Sequence, residues 1–186
     1  MFDIVTTNPP FGGKAHVDDP HILSSYNLPA FDVKDPRELM PAEQLFVEGA
    51  LRYVKPGGYL VIVLPRSILS NPGLLFIRKF LLKHTRVVAS IDLPKETFAE
   101  SGGVPNPSVL IVQRLKLAEM KLAEPDTLDK YEIFMAMPRK VGRDNRGNPV
   151  YRRTHEGHVI LDDNSKPIID DDLPHVVSAF ENWHRK

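Results

Sequence analysis

Phe2-Asp3-Ile4-Val5-Thr6-Thr7-Asn8-Pro9-Pro10-Phe11 is the stretch from which the rest of the chain is read. Its first six residues are short, apolar and β-branched, the composition of a strand, and Asn8-Pro9-Pro10 stops that strand because proline supplies no ladder donor. Working outward, Phe11 to Met40 carries scattered Gly, Pro, His and Asp without a lasting period and reads as an irregular excursion of a length that is often functional. Pro41 opens a helix in which Leu45, Phe46, Ala50, Leu51 and Val54 recur at helical spacing, and Pro56-Gly57-Gly58 closes it. Tyr59-Leu60-Val61-Ile62-Val63-Leu64 is a continuous apolar run, as expected for a strand buried on both faces.

Strand, helix and strand make a parallel unit. Asn71-Pro72 has the form of a helix start, with Leu75, Phe76, Phe80 and Leu81 as its apolar stripe. Arg86 to Asp92 is the next strand. Ser108 to Gln113 follows without an intervening helix, so it returns antiparallel beside its predecessor and makes the sheet mixed. Tyr131 to Ala136 reads as a further strand. His158 to Leu161 and Pro167 to Ile169 flank the turn Asp163-Asn164-Ser165, and a final helix carries Val176, Val177, Phe180 and Trp183. No internal repeat is evident. The expected organisation is residues 1–115 as a catalytic half, 116–130 as a charged linker and 131–186 as a carboxyl-terminal extension.

Composition narrows the class. A chain of 186 residues with 42% hydrophobic content has enough apolar material for one substantial core. It has no cysteine, which removes disulfides, thiolate metal sites and cysteine nucleophiles together. No apolar run approaches the roughly 18 residues of a membrane span and no leader is evident, so a cytoplasmic protein is expected. Lys plus Arg balances Asp plus Glu at 24 each, so no global field draws the chain to a polyanion. Local attraction would come from Arg139, Lys140, Arg143, Arg146, Arg152 and Arg153, which also read simply as a solvated basic loop.

The chemistry lies in Asn8-Pro9-Pro10-Phe11, directly after a strand, where open α/β sheets place their ligands. An exocyclic amino group conjugated to a ring is a poor nucleophile. An asparagine oxygen and a neighbouring main-chain carbonyl can accept both its hydrogens and direct its lone pair at an incoming methyl group. Proline fixes the backbone while leaving its carbonyl free. Phe11 offers a ring face for a base extruded from a duplex, a contact that contributes about 1–3 kcal/mol. An isolated Asn-Pro-Pro would equally serve as a strand-ending turn.

Beyond this tetrapeptide, the chain resembles the modification subunit of type I restriction systems and related adenine-specific DNA methyltransferases. The resemblance rests on Asn8-Pro9-Pro10-Phe11-Gly12-Gly13-Lys14 with its preceding strand, Lys55-Pro56-Gly57-Gly58, Ile62-Val63-Leu64-Pro65 and Asn71. It continues through Ile77-Arg78-Lys79, Asp92-Leu93-Pro94-Lys95-Glu96-Thr97-Phe98, Ser108-Val109-Leu110, Tyr131 to Ala136 and Asn145-Arg146-Gly147-Asn148-Pro149. It departs at Gly103-Val104-Pro105-Asn106-Pro107, where fewer prolines are expected. It implies a partial Rossmann-like methyltransferase fold, α/β with a mixed sheet lacking its first strands, plus the small extension.

By that resemblance Asn8 and Pro9 hold the 6-amino group of adenine, Phe11 stacks on the flipped base, and Phe98 packs against it from another side. Arg143 and Arg146, from the basic stretch and the second of them within a matched segment, are the candidates for contact with DNA. The donor is S-adenosylmethionine, but its glycine-rich turn has no counterpart here: no Gly-x-Gly occurs. The donor-binding half is therefore expected to be missing, the isolated chain inactive, and the exposed strand edge completed by an amino-terminal methyltransferase half or by self-association, with specificity and restriction subunits as further partners. Two other functions fit the tetrapeptide. Protein-glutamine methyltransferases use Asn-Pro-Pro-aromatic on an amide nitrogen, usually with tyrosine in fourth place, and a non-catalytic remnant or interaction module would need no donor.

Of the remaining polar groups, His155-Glu156-Gly157-His158 lacks the spacing of a zinc protease, and no metal is expected. His16, Asp18, Asp19 and His21 follow the motif and would serve equally as substrate contacts or as solvated loop residues. Asp170-Asp171-Asp172 is expected to favour the last helix through its dipole, and Trp183 is expected to pack.

Overall fold

The computed structural model describes residues 1–10, 15–101, 106–116, 118–119 and 131–185. They form two compact units, Met1–Ser90 with Ser108–Ile133, and Ile91–Pro107 with Phe134–Lys186. Phe11, the Gly102 to Pro105 part of the proline-rich loop and most of the expected linker lie outside the described residues. Among the described residues no helix is long and apolar enough to cross a membrane.

In the first unit, β1 (Phe2–Thr7) pairs in parallel with β4 (Val54–Pro65), placing Ile4 opposite Tyr59 and Thr7 opposite Ile62. The sheet runs β1, β4, β6 (Pro107–Arg114), β5 (Thr85–Asp92), so β6 lies beside its predecessor as expected, inserted between it and β4. The sheet is mixed. The Pro41 signal starts the helix α2 one residue later, at Ala42–Tyr53. Asn71 caps a short turn at Pro72–Leu74, its side chain accepting from the Gly73 N–H at 2.9 Å, before the helix Leu75–His84.

The core lies on one face of the sheet. Leu60, Ile62 and Leu64 are fully buried there with Val112, against Leu45 and Leu51 of α2 and Ile77 and Phe80 of the following helix. Each such side chain contributes about 1.5–3 kcal/mol by leaving water. Tyr59, Val61 and Val63, on the opposite face, are only half-buried, so β4 is not the strand enclosed on both faces that its apolar run predicts. The apolar run identifies a strand correctly, but β-branched residues suit a half-buried face as well as a buried one.

The stretch after the motif is more regular than its composition suggests. β2 (His16–Val17) and β3 (Met40–Pro41) form an antiparallel neck, with His16 opposite Pro41 and Val17 opposite Met40. Inside it, helix α1 (Pro20–Ser24) is capped by Asp19, whose carboxylate accepts from the His21 N–H at 2.8 Å. Arg37 donates to the carbonyls of Pro29 and Phe31 and lies 3.6 Å from the centre of the Phe76 ring.

The second unit contains three turns of one build. Asp144, Thr154 and Asp162 each accept, through the main-chain carbonyl, from the residue three further on, Gly147, Gly157 and Ser165. Each of these three adopts a left-handed backbone, with φ of 84°, 91° and 59°. Bridges at Arg143–Pro149, Arg153–Val159 and Leu161–Pro167 close the three hairpins. Their strands meet in cyclic hydrogen bonding: Arg152 N–H to Ile168, Ile168 N–H to Ile160 and Ile160 N–H to Arg152. In sequence the repetition is weak: Asp144, Thr154 and Asp162 open the turns, and Val150, Ile160 and Ile168 follow them at matching places.

Leu173–His184 is the terminal helix, and Phe134 packs on its Phe180 and Trp183, with ring centres 5.3 and 5.8 Å away. Asp172 stands at the N-cap of that helix, but its side chain bonds none of the helix N–H groups. Its carboxylate accepts from the Arg139 and Lys140 N–H groups at 2.8 and 3.0 Å, which holds its pKa low, while Asp171 accepts from Leu173.

Candidate active site

Asn8-Pro9-Pro10 leaves the carboxyl end of β1, the end at which ligands of parallel sheets gather. Asn8 is exposed, Pro9 buried and Pro10 exposed. The buried ring anchors the turn while the asparagine amide stays accessible. Beside it, between β1 and α2, opens a cleft of about 470 Å³ lined by Val5, Thr7, Ile22, Tyr26, Phe46 and Tyr53, among others. The excursion therefore supplies one wall of the space adjoining the motif.

Glu48 on α2 holds that wall. Its side chain is 4% exposed and accepts from the Leu28 N–H at 2.8 Å, the Asn27 N–H at 2.9 Å, the Asn27 amide at 2.8 Å and Arg52 at 2.7 Å. Burial pushes the Glu48 carboxyl pKa up, but these donors outweigh it and hold the group below the usual glutamate range. Arg52 also lies 4.4 Å from the centre of the Tyr26 ring, so one ion pair fixes both the main chain at 27–28 and a wall of the cleft. Sequence reasoning missed Glu48. The available signal was its helical spacing from Leu45 and Leu51, an acid on the apolar face of a helix, which must find donors.

Phe98, Arg143 and Arg146 belong to the second unit. Phe98 is half-buried in the 3-10 segment Lys95–Ser101, at a kink with φ −120° and ψ 29°. Arg143 and Arg146 share the first of the three hairpins. The Arg143 guanidinium donates to the Gly147 carbonyl at 3.1 Å, and the Arg146 N–H donates to the Asp144 carboxylate at 2.8 Å. The Asn148 side chain and the Arg146 and Asn148 N–H groups hold Asp144 below the usual carboxylate range, so the turn keeps its anion and presents Arg146 to solvent. His155, Glu156 and Gly157 belong to the second turn, which runs from Thr154 to Gly157, with Gly157 in the left-handed region and His158 just beyond it.

Residues 1–98, more than half of the chain, match the Eco57I restriction-modification methylase family. The chain belongs to this family. Among solved structures, a protein assigned as a class I S-adenosylmethionine-dependent methyltransferase of Listeria monocytogenes is similar at 24% identity and a TM-score of 0.53, over 73% of this chain and 36% of its own. A modification subunit of a type I restriction enzyme from Vibrio vulnificus is similar at 17% identity and a TM-score of 0.49, over 90% and 36%. The EcoKI M protein is similar at 23% identity and a TM-score of 0.44, over 62% and 21%. This family member thus spans about a third or less of the length of these three structures, and the likeness to the Listeria protein is one of fold. No curated protein matches the sequence.

Proposed function

We propose that this member of the restriction-modification methylases supplies the acceptor side of methyl transfer to the 6-amino group of adenine in DNA. The observation that carries the reading is the accessible Asn8 on a buried Pro9 at the carboxyl end of a parallel strand, within the span matched by the family. The amino group donates its two hydrogens to the Asn8 side-chain oxygen and the Pro9 carbonyl, and its lone pair is turned outward. S-adenosylmethionine, when bound, supplies a methyl carbon made electrophilic by its sulfonium. With its lone pair so aimed, the amino nitrogen would take up the methyl group and release its surplus proton to water.

Pro10 stiffens the turn, Phe11 stacks on the extruded base, Phe98 bounds the base from a second side, and Arg143 and Arg146 contact DNA phosphates. The donor site is assigned to polypeptide beyond these 186 residues, and specificity and restriction subunits in a cytoplasmic complex are the further partners proposed. A competition assay tests the substrate class. With the chain in its complete methyltransferase, labelled methyl should enter adenine-containing DNA and not a glutamine peptide offered beside it. Label in the peptide would refute the reading.

A further inference from the structure

Ser25 to Leu28 of the excursion are fastened to α2 more firmly than a solvated loop requires. Asn27 and Leu28 donate to the Glu48 carboxylate, and Arg52 donates both to Glu48 and to the Ser25 carbonyl. Between these anchored positions stands Tyr26, with the Arg52 guanidinium 4.4 Å from its ring centre. Its hydroxyl lies against Gly49, where an added Cβ would stand 3.5 Å away. Holding a main chain and a ring in one place costs conformational entropy, which these bonds offset. Tyr26 is half-buried and faces two hollows. One is the cleft of about 470 Å³ that reaches Thr7 at the end of β1, directly before the motif. The other, of about 710 Å³, is enclosed by the excursion with Leu23, Pro29 and Arg37.

We propose that Tyr26 is a further contact for the acceptor DNA, its ring stacking on a nucleobase beside the target adenine, with Arg52 and Glu48 as positioning residues that hold the ring. The inference rests on the proposed function for the identity of the substrate. A base drawn out of a duplex leaves its neighbours without a stacking partner on one side, and an aromatic ring near the site of extrusion replaces that partner. Tyrosine suits the place because its ring is rigid and its hydroxyl tolerates water. A ring already fixed by Arg52 need not be ordered when DNA binds, so more of the contact appears as affinity. The contact lies away from the reacting nitrogen and is made in the ground and transition states alike. It therefore acts on KM for DNA and not on kcat.

The test uses the complete methyltransferase with adenine-containing DNA and separates KM from kcat. Tyr26→Leu should raise the KM for DNA by about 10-fold, the loss of one base–ring contact, while kcat and the KM for S-adenosylmethionine stay within about two-fold. Tyr26→Phe keeps the ring and should restore most of the affinity that Tyr26→Leu loses. Arg52→Met leaves the ring without its hold and should raise the KM for DNA by about 3-fold. A purely structural part for these residues would lower kcat through the folded fraction and leave KM alone. DNA carrying iodouracil beside the target adenine should crosslink to Tyr26 of the native chain on irradiation. That crosslink needs no methyl transfer, so the contact and the proposed reaction can fail separately. An unchanged KM for Tyr26→Leu, a fall in kcat alone, or crosslinks that bypass Tyr26 would each overturn the proposal.

Discussion

Replacing Glu48 by alanine should loosen the wall beside the motif, and its cost can be worked from the contacts. Leu28 is fully buried, so its N–H would lose its acceptor without gaining water, at about 1–3 kcal/mol. The Asn27 N–H is part-buried and would recover some hydration, at about 1 kcal/mol. The Arg52 side chain is 44% exposed and returns largely to solvent, so its pair adds at most about 1 kcal/mol. The total is about 3 kcal/mol, or a fall of roughly 1.5 M in the urea midpoint followed by circular dichroism. Glu48→Gln keeps one acceptor oxygen and should lose about half as much.

The pH dependence has a definite sign. The folded-state pKa of Glu48 is depressed, so its stabilisation is complete above the unfolded value and lost as pH falls through the folded value. The gap between native protein and Glu48→Gln should therefore be widest near neutrality and close in acid. A loss of stability for Glu48→Ala below about 0.5 kcal/mol, or a gap that does not narrow in acid, would refute the reasoning.

Other substitutions probe other parts. A Cβ at Gly58 would come within 2.6 Å of the Asp3 carbonyl, so Gly58→Ala should separate β1 from β4 and lower stability by about 1–3 kcal/mol, read by urea titration. Gly142→Ala would meet Ile169 at 2.0 Å with φ at +70°, and should broaden the amide spectrum of the three hairpins. If Arg143 and Arg146 contact phosphates, replacing both by glutamine should reduce the salt dependence of DNA binding by about two counterions, measured as the slope of log affinity against log salt.

Much of the fold was legible because its signals are local. The apolar Tyr59–Leu64 run, the Asn71-Pro72 start and the turn between Leu161 and Pro167 each carry their own chemistry, and each stands where expected. Trp183 packs with Phe134 and Phe180, as its spacing implied. The order of the excursion was not legible, because it depends on Glu48 reaching Asn27 and Leu28 some twenty residues away. The three hairpins share a left-handed fourth residue, glycine twice and Ser165 once, an Asp or Thr three places before it and a Val or Ile three places after it, a trace too short and degenerate to read as a repeat. Asp172 illustrates a further limit: an acid before a helix suggests a dipole contact, yet its donors are Arg139 and Lys140, brought there by the hairpins. Of the motif, the sequence indicates the strand and the stop, while the contrast of exposed Asn8 with buried Pro9 needed the fold.

The most direct test of the central claim is the yield of N6-methyladenine in DNA, by mass spectrometry, from the complete methyltransferase carrying either this chain or its Asn8→Ala variant. The account predicts N6-methyladenine with the native chain and its loss with Asn8→Ala, while DNA affinity stays within a few-fold. Undiminished N6-methyladenine from the variant, or a methylated base other than adenine from the native chain, would contradict it.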